Sequence, residues 1–169
     1  CYEESSMKYN VESIITGAFK NSMQEDSFSY GGRTDSGDVI PNGTLQICKY
    51  INGNAVLVPK KVHNRLGNLS SDYTHAMGDF DDGLRSINAG FINLTTKRYI
   101  GFCKSNGLPD WSNPDIPLKK RLKFFKSPQG LNYKEYILFR KKFWGSKWII
   151  FAFKAYLKVL FPSLYKVLK

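Results

Sequence analysis

The first sustained apolar run, Ile14-Ile15-Thr16-Gly17-Ala18-Phe19, lies between polar residues and predicts a short buried strand. Tyr30-Gly31-Gly32-Arg33 and Asp35-Ser36-Gly37-Asp38 carry loop chemistry. Leu45 to Tyr50 and Ala55 to Val58 predict two further strands flanking Asn52-Gly53-Asn54, and Pro59 opens a short helix through Leu66 that Gly67 stops. Phe80, Leu84, Ile87 and Phe91 recur at three- and four-residue steps, which predicts a helix over Asp79 to Ala89 ended by Gly90. Strands over Ile92 to Thr95 and Tyr99 to Cys103 follow. This order of short strands and helices predicts an α/β fold with a mixed sheet, rather than a helical bundle or a sandwich.

The pattern changes after Pro117. A helix is expected from Pro117 to Phe125, then a turn at Ser127-Pro128-Gln129-Gly130. Asn132 with Glu135 three residues on has the spacing of a capping pair and opens a helix to Trp144, where Gly145 interrupts. Beyond Ser146, Lys147, Lys154 and Lys158 fall on one narrow helical stripe while Trp148, Ile149, Ile150, Phe151, Phe153 and Leu157 cover the rest. A broad apolar face beside a lysine stripe suits a helix lying in a membrane interface, and about 15 residues at ~1.5 Å each are too few to cross a ~30 Å hydrocarbon core. The same residues could instead pack onto other protein, or stack and pair with single-stranded nucleic acid.

Charge sharpens this division. The 169 residues carry 25 Lys and Arg against 14 Asp and Glu, a formal +11. From Lys119 onward there are fourteen basic residues and one acid, Glu135, so the first 118 residues are slightly negative. Two regions are therefore expected: 1–116, Gly- and Asn-rich, and 117–169, a basic aromatic helical tail whose segment 146–169 meets an anionic partner. With 42% hydrophobic and 15% aromatic residues the chain is not disordered. Cys1, Cys48 and Cys103 are too few and too scattered for a disulfide framework or a zinc site.

The densest chemistry lies in His75-Ala76-Met77-Gly78-Asp79-Phe80-Asp81-Asp82-Gly83-Leu84-Arg85, with three carboxylates at a helix start. Such acids serve as a general base, as ligands of a hard cation, or as helix caps. Asp79-Phe80-Asp81 matches a D-x-D pattern, but a metal-holding pair of that kind follows a buried strand, and Thr74 to Gly78 is not one. A base is therefore the preferred functional role. No residue of this chain is assigned as a metal ligand.

Taken in order, Tyr30-Gly31-Gly32, Asn52-Gly53-Asn54-Ala55-Val56-Leu57-Val58-Pro59, Leu66-Gly67, Gly78-Asp79-Phe80-Asp81-Asp82-Gly83-Leu84-Arg85 and Ala89-Gly90-Phe91 resemble the later half of a bacterial family 2 glycosyltransferase. The resemblance covers Val11 to Phe161. It implies a partial GT-A fold, with 1–116 as the acceptor-side half of a catalytic domain whose nucleotide-binding half is not in this sequence. The family's acidic pair, later Asp and Arg map onto Gly78-Asp79, Asp81 and Arg85, with Gly78 standing where an acid is common.

On that mapping Asp79 is the catalytic base, Asn52, Gly53, Asn54, His75 and Gly78 border the substrate pocket, and Asp81 and Arg85 support it. The implied reaction is inverting, taking a sugar from a nucleotide-sugar donor to a saccharide or lipid-linked acceptor in surface polysaccharide synthesis. A divalent cation, Mg²⁺ or Mn²⁺, would be held mainly by the missing half, so this chain alone is expected to be inactive. The implied location is cytoplasmic and peripheral on the inner membrane face, with no nucleic-acid partner. The alternative is a non-catalytic binding module whose basic tail grips nucleic acid or a partner protein.

Overall fold

The computed structural model describes residues 1–24, 27–75 and 77–167. Ala76, within the acid-rich run, and the last two residues of segment 146–169 lie outside them. The protein is mixed α/β and divides into two compact units, Cys1–Ser70 with Asp79–Ser105, and Ser71–Gly78 with Asn106–Lys169. The first break after the sheet thus falls near residue 105, in the turn-rich stretch, and a short excursion at 71–78 joins the C-terminal unit.

The first unit starts with α1 (Tyr2–Tyr9), then β1 (Ser13–Lys20), β2 (Phe28–Tyr30), a small hairpin of β3 (Arg33–Thr34) and β4 (Gly37–Asp38), β5 (Gln46–Cys48) and β6 (Val56–Leu57). It continues through α2 (Lys60–Leu66), α3 (Gly78–Asn88) and β7 (Ile92–Phe102). The main sheet runs β2-β1-β7-β5, with β6 also on β1. Among the described residues only β1 and β7 pair in parallel, with Ile14 opposite Asn93 and Ile15 opposite Leu94; the other pairs are antiparallel. Burial of β1 on both faces follows from its period of two. Ile14 packs with Val39, Cys48, Ile51 and Val62 of α2, whereas Ile15 packs with Leu45, Leu94 and Tyr2 and Tyr9 of α1.

Several elements differ from the sequence reading, among them β2, which the loop assigned to Tyr30 did not anticipate. The polar break in Ile92–Phe102 is an irregularity inside one strand: Thr96 Oγ1 accepts the Ala18 N–H at 3.0 Å and donates to Arg98 O at 2.8 Å, so pairing with β1 resumes beyond it. The Tyr30–Asp38 loop contains the β3–β4 hairpin. Helix α1 was not expected, because it has no capping side chain and no apolar stripe; the Ser5 and Ser13 hydroxyls, 2.6 Å apart, tie it to β1.

The second unit contains α4 (Leu118–Lys126), α5 (Tyr133–Trp144), α6 (Trp148–Leu160) and α7 (Pro162–Val167). Its core is aromatic: Trp111, Phe125, Leu131, Ala155 and Val159, with Tyr133 and Tyr136 against them. The guanidinium of Arg140 lies 4.1 Å from the Phe151 ring centre and 4.5 Å from that of Trp144, joining α5 to α6 by cation–π contact. The expected capping pair is not made. Asn132 is left-handed (φ 46°) with no capping bond; its amide donates to Thr74 Oγ1 at 3.3 Å, while the Glu135 carboxylate accepts the Thr74 N–H and hydroxyl at 3.0 and 2.8 Å. Both side chains hold the 71–78 excursion instead of the helix end.

Candidate functional site

The three carboxylates at the start of α3 have separate fates. Asp81 is fully buried and its Oδ2 accepts Arg85 Nε at 2.7 Å, one helical turn on. Asp82 accepts Arg85 Nη2 at 2.8 Å. The same guanidinium donates to Leu66 O at 2.7 Å and Asn68 O at 3.1 Å, so Arg85 clamps the end of α2 onto α3. Asp79 binds backbone instead: Oδ2 accepts the Gly53 N–H at 3.0 Å and Oδ1 the Phe80 N–H at 2.9 Å.

The Asn52-Gly53-Asn54 loop is therefore held directly against Asp79. Buried Thr16 of β1 bonds both the N–H and C=O of Asn52 at 3.1 Å, and Asn52 Oδ1 accepts the Asn54 N–H at 3.1 Å in a tight side-chain turn. The Asn54 amide reaches Cys103 Sγ at 3.5 Å. A Cβ on Gly53 would meet Asp79 atoms at 3.7 Å, an ordinary contact, so the site needs the Gly53 amide rather than a glycine.

Asp79 stands in the wall of a cavity of about 270 Å³ in the first unit. Ile51, Val56, Val58 and Leu69 make its apolar lining, and Asp82 and His63 join Asp79 at its polar side. Burial pushes the Asp79 carboxyl above the usual carboxylate range, partly offset by the amides of Gly53 and Phe80. Asp82 is also raised by burial, with Arg85 opposing. A carboxylate that is costly to keep charged and that borders a cavity has the chemistry of a proton acceptor. Cys48, by contrast, is a packing residue whose thiol burial pushes up to about 12.

Among the sequence-selected residues, Asn52, Gly53, Asn54 and Asp79 are brought together, and Asp81 and Arg85 form the support beneath. Gly78 is the first residue of α3, preceded by Met77 in the left-handed region (φ 71°), a strained entry to the helix. His75 is exposed and belongs to the second unit. The imidazole in the cavity wall is His63, whose Nε2 lies 3.1 Å from Asn68 Oδ1. His63 had no distinguishing motif; Asp82 stood out only as one of the three acids at the helix start.

The Asp79-Phe80-Asp81 pattern does not fit a divalent cation. Asp81 has no exposed surface and already holds Arg85, and both Asp79 oxygens accept amides. Among the described residues no group of three or more His, Cys, Asp or Glu could hold a metal ion. Comparisons with family models, with curated proteins and with solved structures return no match.

Proposed function

We propose that the first unit is the acceptor side of a GT-A glycosyltransferase resembling family 2, and that Asp79 is its base. In the reaction the acceptor hydroxyl attacks the anomeric carbon of a nucleotide-sugar. A C–O bond forms there, the bond to the leaving diphosphate breaks, and the hydroxyl proton passes to Asp79. The Gly53 and Phe80 amides fix the carboxylate's direction while burial raises its proton affinity. Arg85, by pairing with Asp81 and Asp82 and tying down Leu66 and Asn68, keeps the cavity wall in register with that carboxylate. The divalent cation of such enzymes has no place among Asp79, Asp81 and Asp82, so no step here runs through it.

The acceptor on this reading is a saccharide, free or lipid-linked, of surface polysaccharide synthesis. The enzyme would work in the cytoplasm, peripheral on the inner membrane face. No helix of the protein, among the described residues, is long and apolar enough to cross a membrane. The observation that carries the proposal is the placement of Asp79: a cavity-lining carboxylate with raised proton affinity, oriented by backbone amides, beside two acids committed to an arginine. Asp79→Asn, in the enzyme that unites this half with a nucleotide-binding half, is expected to cut turnover by roughly 10²–10⁴ at unchanged donor affinity. Turnover near that of the unaltered enzyme removes the assignment.

A further inference from the structure

Helix α6 has three faces. Ala152, Ala155 and Val159 are buried, the last two in the aromatic core with Trp111 and Phe125. A second arc, Ile149, Ile150, Phe153 and Leu160, is exposed, with Ile149 and Phe153 at 59% and 62%, whereas Tyr156 beside it packs its ring on Phe125 and Tyr133. Lysines border one side of this arc: Lys147 and Lys154 are exposed, and Lys158 lies 4.9 Å from the Trp111 ring centre. The lysine stripe of the sequence thus separates a face already committed to the core from a second apolar face that is open. Phe161 and Leu164 extend the exposed apolar row past the end of α6.

We propose that this open face of α6 is a docking surface for an anionic lipid bilayer, with Ile149, Ile150, Phe153 and Leu160 entering the acyl boundary and Lys147 and Lys154 meeting the headgroups. Charge selects the occupant. The second unit carries fourteen Lys and Arg against Asp72, Asp110, Asp115 and Glu135, a net of +10, whereas the first unit is nearly neutral. A second copy would bring +10 against +10, while an anionic surface is attracted to all of it. The amphipathic arc matches an interfacial helix: large apolar side chains on one side, lysines at its border and a length below that of a span.

This gives the peripheral location proposed above a specific surface, and it rests on that location reading alone. Its test reads lipid binding without any donor or acceptor, so its failure leaves the role of Asp79 open, and loss of transfer in Asp79→Asn leaves lipid binding intact. The full chain is mixed with vesicles of phosphatidylcholine alone or with 30% phosphatidylglycerol at ~0.1 M salt, and partition is measured by sedimentation. Tight binding to the anionic vesicles is expected, reduced about 10- to 100-fold by Ile149→Ser with Phe153→Ser. Lys147→Glu with Lys154→Glu is expected to reduce the anionic preference, and Ile47→Ser, at an exposed apolar position of the first unit, to change nothing. Because every substituted side chain is exposed, an unaltered circular dichroism spectrum is expected throughout. Absence of vesicle binding, equal loss with Ile47→Ser, preference for a single-stranded oligonucleotide at the same salt, or a dimer abolished by the double serine variant overturns the proposal.

Discussion

Removing the Arg85 side chain tests the support of the site most severely. Arg85 is mostly buried and neutralises Asp81, which has no exposed surface, at 2.7 Å, while also holding Asp82 and the carbonyls of Leu66 and Asn68. Arg85→Ala leaves the Asp81 charge buried without this cation, a change that costs about 3–5 kcal/mol. That is a large part of the ~5–15 kcal/mol available to a typical domain. Trp111, Trp144 and Trp148 all lie in the second unit, so indole fluorescence does not report on this loss. Urea unfolding followed by far-UV circular dichroism, with amide exchange at buried Leu94 and Thr95, reads the first unit directly.

Replacing the pair together, Asp81→Leu with Arg85→Met, is expected to recover only part of the loss: the apolar pair needs no charge compensation, but Asp82 and the carbonyls of Leu66 and Asn68 still lose this donor. A loss below ~1 kcal/mol for Arg85→Ala, or no recovery at all in the double variant, refutes the reasoning.

Other outcomes follow from single contacts. A Cβ on Gly130 would stand 1.9 Å from the Phe124 carbonyl oxygen, so Gly130→Ala is expected to destabilise the second unit by about 1–3 kcal/mol or more, read by tryptophan fluorescence in urea. Thr74→Val keeps the backbone N–H bond to Glu135 but removes the hydroxyl's bond to Glu135 and the acceptor of the Asn132 amide, and is expected to cost about 1 kcal/mol in the same unit. Gly53→Ala keeps the amide that Asp79 accepts and meets only 3.7 Å contacts, so carboxyl NMR should still find Asp79 titrating above 3.8. Because the folded Asp79 is raised, it holds protons that the unfolded chain releases, and its contribution to stability grows as pH falls from the folded value toward 3.8; Asp79→Asn is expected to flatten that slope.

Local pattern carried much of the architecture. The Ile14–Phe19 run is β1, the three-four spacing of Phe80, Leu84 and Ile87 is α3, and Gly67, Gly90 and Gly145 end or interrupt helices where the sequence places them. What was hidden depended on distant partners. Asn132 and Glu135 have a capping spacing but serve Thr74, 58 and 61 residues away. Lys97 and Arg98 look like a strand break, yet the strand continues because β1 supplies Ala18 to satisfy Thr96. Within the site, the bond from Gly53 to Asp79 spans 26 residues, and the division of three adjacent acids between backbone and Arg85 follows from burial, which their spacing does not specify. The place of His63 in the cavity wall likewise comes from the packing of α2 against the sheet.

The pH profile of turnover, measured at saturating donor in the enzyme containing both halves, tests the role of Asp79 most directly. The account predicts an acidic limb whose apparent pKa lies above 3.8 and coincides with the value titrated for Asp79 by NMR, and which disappears in the slow residual turnover of Asp79→Asn. An acidic limb of the same position and depth in Asp79→Asn contradicts it.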